Sequence, residues 1–471
     1  MLLGLIATFF VIAASCYYFF VIMPQAQAAA ADAAKAAAKL KHQEQDKARR
    51  EEAAAIKKLN KERGSNKGKK KTKVDQQPAA TNKKKKVTSH PRYNRRIGGH
   101  SGNILSMSIS PNGEWIATSG VDGQLRVTKV NGEGSNAGEA LSLSCVVQSD
   151  KDLGNFKDQL TNLVWSSEDD RTIVGIMKTA RLIAFYRMRK KKSVDKPTSK
   201  NPYELIELVK RRISLNSKIG NDVITSCLVD HTNTKFCLLV MGTDATHNNV
   251  TTWNVDADGG KTVGPTTTIS DGNDNKVRIS PDGKFICSRI ESKASQVRIF
   301  EMHKSKVKGE VEPVFDKIST KSVMTISPPK GSGKIIDVDF LSGGIAVIVC
   351  STSTGPCIQL WDLNVEYQNK QDPIMLCTCT PSELSDKDIS MIETSNNNNR
   401  ISITTTNGSL FMFRYDTSKK EVTYDFTIDE PHTDDVIGDM QFCSTAAGGD
   451  TSTTIYTRGQ RSKDVYCWNT N

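Results

Sequence analysis

The chain has 471 residues, long enough for one large repeat domain plus extensions, and its 37% hydrophobic and 25% charged residues are ordinary for a folded core. Its net charge of +12 is concentrated, with 22 Lys and Arg against 7 Asp and Glu between Pro24 and Arg96, so the rest is slightly acidic and a uniformly basic fold is excluded. The 11 cysteines form no CxxC pair and no His-Cys cluster at zinc spacing, which argues against such a metal site and favours reduced, buried thiols over a disulfide framework.

Residues 1–24 are expected to be a transmembrane signal-anchor. Leu2 to Met23 carries no charged side chain, and at about 1.5 Å rise per residue such a run crosses a hydrocarbon core of roughly 30 Å. A cleaved signal peptide is the rival reading, because Ala26-Gln27-Ala28 has a small-residue cleavage pattern. The run is longer than a usual signal core, however, and no basic residue precedes it. The cationic flank that follows should stay on the cytoplasmic side, which puts the remainder of the chain in the cytosol. Two sequons, at Asn249 and Asn407, offer a check, since a lumenal domain would be expected to carry glycan there.

Residues 25–64 are nearly all Ala, Lys, Glu, Gln, Arg and Asp without Gly or Pro up to Gly64, a composition that forms helix. Leu40, Ile56 and Leu59 are too sparse for a heptad seam, so a solvated helical stalk is expected. Residues 65–91 should be a flexible polybasic linker that cannot bury enough apolar area to fold. Its Lys69, Lys70, Lys71, Lys73, Lys83, Lys84, Lys85 and Lys86 are candidate contacts for anionic lipid or RNA. No aromatic residue interleaves with these lysines, so stacking on bases has no support.

Residues 92–471 repeat. Seven segments share an aliphatic residue, a spacer, a second aliphatic or small residue and usually an aromatic, beginning at Leu125, Leu182, Val250, Val297, Ile358, Leu410 and Val465. Each is preceded by two strand-like runs with a turn between them, such as Pro111-Asn112-Gly113, Pro281-Asp282-Gly283 or Ser342-Gly343-Gly344. The segments lie 47 to 68 residues apart, more than the roughly 40–45 of a compact blade. The basic stretch Arg189 to Lys196 and the polar stretch Asp256 to Thr268 read as loop insertions that explain the excess. A seven-bladed β-propeller is therefore expected, an all-β fold in which radial stacking buries the faces of four-stranded sheets. The last unit runs only three residues beyond Trp468, and Arg92–Ile97 is the expected donor of its outer strand.

Unit one opens with Gly99-His100 and has Asp122 in the turn before its third strand, and unit five ends in Trp361-Asp362. These features resemble WD repeats, and the resemblance implies that His100, Asp122, Trp361 and Asp362 belong to a structural hydrogen-bond network rather than to an acid/base pair. The tracts Gly99 to Ile104 and Leu360 to Pro373 resemble the transducin beta-like protein 2 family in particular. That family implies an adaptor anchored in the endoplasmic reticulum, linked to stress signalling and translational control through protein and RNA partners. Departures include a longer Ala/Lys stalk, no helical extension after the last unit, and Thr128-Lys129 and Trp253-Asn254 in place of the dipeptide.

No catalytic, cofactor or metal set is recognised. The seven histidines lack HxxH or HExxH spacing, and Gly260-Lys261-Thr262 has Val255 where a P-loop needs its first glycine. A monomeric scaffold that binds proteins through the propeller faces is the leading expectation. A membrane-bound exchange factor for a small GTPase is a second reading, disfavoured because the anchor of such proteins follows the propeller. A secreted or lumenal propeller is the third.

Overall fold

The computed structural model describes residues 90–130, 141–149, 155–165, 171–179, 182–191, 202–212, 223–232, 235–243, 247–256, 261–271, 277–288, 296–305, 314–319, 321–329, 331–364, 372–395, 399–433, 435–444 and 453–470. The expected anchor and stalk and residues 65–89 of the linker, including every lysine proposed as a lipid or RNA contact, lie outside these residues. Among the described residues no helix is long and apolar enough to cross a membrane.

Among the described residues strand follows strand, with one short 3₁₀ turn at Ser382–Leu384. The first sheet comprises Ile104–Ile109, Trp115–Gly120, Gln124–Lys129 and Ser142–Val146, and the second Leu160–Trp165, Thr172–Met177, Leu182–Lys190 and Tyr203–Arg212. Val223–Thr232, Lys235–Thr243, His247–Asp256 and Lys261–Asp271 form the third. In the fourth, Val277–Ile279, Phe285–Ser288, Val297–Ser305 and Val314–Ile318 are joined by Met324–Ile326, which also pairs with the third strand. The fifth holds Lys334–Leu341, Ile345–Thr352, Gly355–Asp362 and Ile374–Cys379, and the sixth Ile389–Thr394, Arg400–Thr405, Leu410–Asp416 and Glu421–Ile428. The seventh takes Ile437–Ser444, Thr453–Gly459 and Val465–Asn469 from one end of the chain and Tyr93–Ile97 from the other.

Successive sheets pack on one another, mostly through their first strands, and the seventh packs on the first. This circuit of antiparallel sheets, all four-stranded except the five-stranded fourth, is consistent with a β-propeller. Local chemistry fixes the hairpins in the expected way. In Ser110-Pro111-Asn112-Gly113-Glu114-Trp115 the Asn112 side chain accepts from the Ser110 hydroxyl at 2.7 Å and from the Glu114 N–H at 2.9 Å, while Gly113 supplies a φ of 69°. Ser280 to Phe285 repeats the device, with Asp282 as acceptor and Gly283 at φ 68°.

The core lies between sheets. Trp115, Leu125, Val127, Trp165, Ala184 and Tyr186 pack together at the junction of the first and second, and Leu360, Ile401, Ile403 and Phe413 at that of the fifth and sixth. Burial explains why an aromatic usually ends the third-strand motif, since Phe185, Phe300, Phe413 and Trp468 are all buried.

First strands present one edge without a strand neighbour, and the N–H groups there need partners. Side chains from the adjoining sheet supply them. The Ser106 and Ser108 hydroxyls accept from the Leu163 and Trp165 N–H groups at 3.0 and 2.9 Å. Asp337 and Asp339 accept from Ile392 and Thr394 at 2.9 and 2.8 Å. Gln441 accepts from Ile109 N–H at 3.1 Å and donates to the Met107 carbonyl at 3.2 Å, which ties the seventh sheet to the first.

One sequence expectation needs correction. The polar stretch from Asp256 to Thr268, read as an insertion, largely belongs to the third sheet, because Lys261–Asp271 is its outer strand. An outer strand needs little apolar surface, and the threonines and Ile269 of this segment favour extended backbone. Similarly, Arg189 and Lys190 end a strand rather than begin a loop.

Candidate functional site

The sheet sequence builds two histidine-centred networks, one in the first sheet and one in the seventh. Gly99 at φ 122° turns the chain into the first sheet and delivers His100, which is 7% exposed, beneath the turn carrying Asp122. His100 Nδ1 lies 3.0 Å from Asp122 Oδ1, and Nε2 lies 2.9 Å from the Thr118 hydroxyl. A neutral imidazole that donates from Nδ1 and accepts the Thr118 O–H at Nε2 satisfies both contacts. Asp122 also accepts from the Ser101 and Gln124 N–H groups, pinning both ends of the turn. Burial pushes the His100 imidazole down despite the pull of Asp122. Desolvation opposes the Asp122 carboxylate, but hydrogen bonds from His100 and Ser101 outweigh it and hold its carboxyl below the usual range.

The seventh sheet has a related network that sequence reasoning missed, reaching a tryptophan in place of the histidine–aspartate bond. The Trp468 indole N–H donates to the Thr457 hydroxyl at 2.9 Å, and that hydroxyl lies 3.0 Å from His432 Nε2. All three side chains are buried. Asp435 caps the turn by accepting from Val436 N–H at 3.0 Å and Arg461 N–H at 2.8 Å. The signal was present in Pro431-His432 shortly before an inner strand and Trp468 closing a third strand, but no glycine precedes the histidine.

The structure places Trp361 and Asp362 apart from both networks. Trp361 N–H reaches Gln359 Oε1 on its own strand at 3.3 Å, and Asp362 caps a turn by accepting from Asn364 N–H at 2.9 Å. Cross-strand register gives the reason. Thr457 stands two residues beyond the partner of Trp468, and the residue two beyond the partner of Trp361 is Ile348, which has no hydroxyl. In the first sheet Thr128 occupies the position of Trp468, so the chain of bonds there stops at Thr118.

Residues 92–128 match the family model for the WD domain, G-beta repeat. The matched span starts at the outer strand of the seventh sheet and runs through three strands of the first, so this WD repeat straddles two sheets. No curated protein matches the chain. Among solved structures, Sqt1 from Chaetomium thermophilum is similar at 14% identity, over 77% of this chain and 81% of that one, with a TM-score of 0.46.

The networks serve turns, Cys145, Cys287, Cys350, Cys357, Cys377, Cys379, Cys443 and Cys467 are free thiols, and burial raises those of Cys145 and Cys350 to about 12, where they are poor nucleophiles. Among the described residues no group of three or more His, Cys, Asp or Glu side chains could hold a metal ion.

His432 gives a testable pH dependence. Burial pushes its imidazole down to about 4 against the opposing influence of Asp435. With a folded pKa below the unfolded value of about 6.5, the unfolded chain binds more protons, so stability is lost as pH falls from 6.5 towards 4. The full loss from this group is about 3 kcal/mol. Melting curves of the native protein and of His432→Asn across this range should show a steeper decline in the native protein.

Proposed function

We propose that this chain is a non-catalytic scaffold that gathers protein partners on its ring of sheets, held by Leu2–Met23 at the endoplasmic reticulum membrane with the sheets in the cytosol. The observation that supports the scaffold reading best is the WD repeat at 92–128 within a circuit of seven sheets among the described residues. WD-repeat domains in general bind proteins, and a ring whose sheets are cross-tied by side chains presents its loops from a rigid frame. The tether and its orientation rest on the uncharged apolar run and the lysine-rich flank that follows. The flank's lysines add attraction to anionic headgroups or RNA. A role in stress signalling or translational control follows from the resemblance to the transducin beta-like protein 2 family.

Proximity labelling from the full chain in cells tests this reading, compared with a version lacking Lys67–Lys86. Labelling of a reproducible set of cytosolic proteins at the reticulum, with Asn249 and Asn407 free of glycan, is the expected result. Glycan on either asparagine, or labelling confined to lumenal proteins, would overturn the orientation. A label pattern no different from that of an anchor alone would overturn the scaffold reading.

A further inference from the structure

Between the fifth and sixth sheets lies a cavity of about 660 Å³, within the range of small-ligand sites. It opens where strands Lys334–Leu341, Ile345–Thr352 and Gly355–Asp362 have their ends and where residues 385–389 lead into the sixth sheet. Its walls are fixed. Leu384 is fully buried as an anchor, the Lys387 N–H donates to the Leu384 carbonyl at 3.0 Å, and the Thr406 N–H donates to the Asp388 carbonyl at 2.8 Å. Gly355, at φ 121°, lets the two walls approach, since a Cβ there would stand 3.0 Å from the Ser385 backbone.

The fixed walls carry polar side chains without partners. Lys334 and Lys387 line the cavity together with Asp386 and Asp388, yet among the described residues none of these charges forms an ion pair. Ser351, Ser353 and Ser385 line the same space, and their hydroxyls have no bond of their own among those residues. Thr352, by contrast, is spent on its turn, donating to the Gly355 carbonyl at 2.6 Å. A concave polar surface that leaves both signs of charge unmatched is complementary to a ligand carrying both. A wholly acidic ligand meets Asp386 and Asp388, and a wholly basic one meets Lys334 and Lys387, so each pays a like-charge penalty.

We propose that this cavity binds a peptide segment in which acidic and basic side chains alternate, the carboxylates lying on Lys334 and Lys387 and the cationic groups on Asp386 and Asp388. The volume exceeds a single amino acid and suits a few residues of chain. The serine hydroxyls then serve the peptide's backbone amides. This inference names a docking site for the scaffold reading and rests on it.

Fluorescence anisotropy on the full chain tests the site with a labelled, end-blocked Glu-Lys-Glu-Lys peptide and with the all-Glu and all-Lys tetrapeptides. The mixed peptide should bind about ten-fold more tightly than either, weakening with salt. Lys334→Glu with Lys387→Glu should reduce its affinity by about ten-fold, and adding Asp386→Lys with Asp388→Lys should restore it. These side chains are at the surface, and an unchanged melting curve establishes that each variant folds. Equal binding of the three peptides, preference for the all-Glu peptide, no binding at about 1 mM, or indifference to the charge changes would overturn the proposal. If proximity labelling of partners persists in the same variants, the scaffold reading stands while the cavity loses its role.

Discussion

Removing Arg92–Ile97 is expected to lower the melting transition of the sheet circuit by at least about 10 °C or to abolish it. The segment Tyr93–Ile97 pairs antiparallel with Val465–Asn469, in a register that puts Tyr93 opposite Trp468 and Ile97 opposite Val465. The Asn469 N–H donates to the Arg92 carbonyl at 2.9 Å, Arg96 pairs with Asp464 at 3.0 Å, and the Arg92 guanidinium stacks 3.6 Å from the Phe426 ring centroid of the sixth sheet. Ile97 is buried with Ile104 and Met107 of the first sheet, so this one strand touches three sheets. Ladder bonds at about 1 kcal/mol each, the buried Ile97 at about 2 kcal/mol and a smaller share from the half-buried Tyr93 suggest a loss of roughly 5–10 kcal/mol. That approaches the whole stability of a typical domain, about 5–15 kcal/mol. Calorimetry should show the transition broadened and lowered by at least about 10 °C, or lost. A deletion variant that melts as the native protein does would contradict the closure.

Arg278→Met is expected to cost about 3–5 kcal/mol, a large effect for a single side chain. Arg278 sits on the short strand Val277–Ile279 of the fourth sheet with 11% of its side chain exposed. It donates to Glu393 at 3.0 Å and to the Ile392 carbonyl at 2.8 Å, both on the sixth sheet, and stands 3.7 and 3.9 Å from Asp337 and Asp339 of the fifth. One guanidinium therefore spans three sheets. Burial works against its charge, yet Asp339, Glu393 and Asp337 together hold its proton more tightly than usual. Burial raises the Asp339 carboxyl even with Arg278 beside it, which shows how much that carboxylate depends on its cation. Removing the cation leaves buried carboxylates uncompensated, and the penalty should shrink as acid protonates them. Denaturant titration at neutral pH and near pH 5 should give a smaller difference between variant and native protein at the lower pH. A difference that is the same at both would place the loss in packing instead.

Much of this architecture could be read in the residues because it rests on local rules. The Ser-Pro-Asn-Gly and Ser-Pro-Asp-Gly turns predict their own geometry, and the third-strand aromatics mark surfaces that neighbouring sheets must cover. The segment before the first unit could be nominated as the outer strand of the last because the repeat runs out of phase with the sheets. What escaped notice depends on partners far away in sequence. His432 is legible only with Thr457 and Trp468, and whether Trp361 finds a hydroxyl depends on register with Ile348. Arg278 gave no signal, since a cation in a three-residue strand reads as an exposed residue until Asp337, Asp339 and Glu393 are known to surround it. The stretch Asp256 to Thr268 reads as an insertion, although most of it lies in the strand Lys261–Asp271, because an outer strand shows no apolar alternation.

The most direct measurement of the closed circuit uses a thiol already in the chain. Arg95 lies opposite Cys467 across the pair formed by Tyr93–Ile97 and Val465–Asn469, and cross-strand partners in antiparallel sheets have Cα separations of about 4.5–5.5 Å, within disulfide range. Arg95→Cys, mildly oxidised and digested, should give a peptide containing position 95 linked to the one containing Cys467. Recovery of the introduced thiol alkylated, or linked to any other cysteine, would contradict the ring on which the proposed scaffold depends.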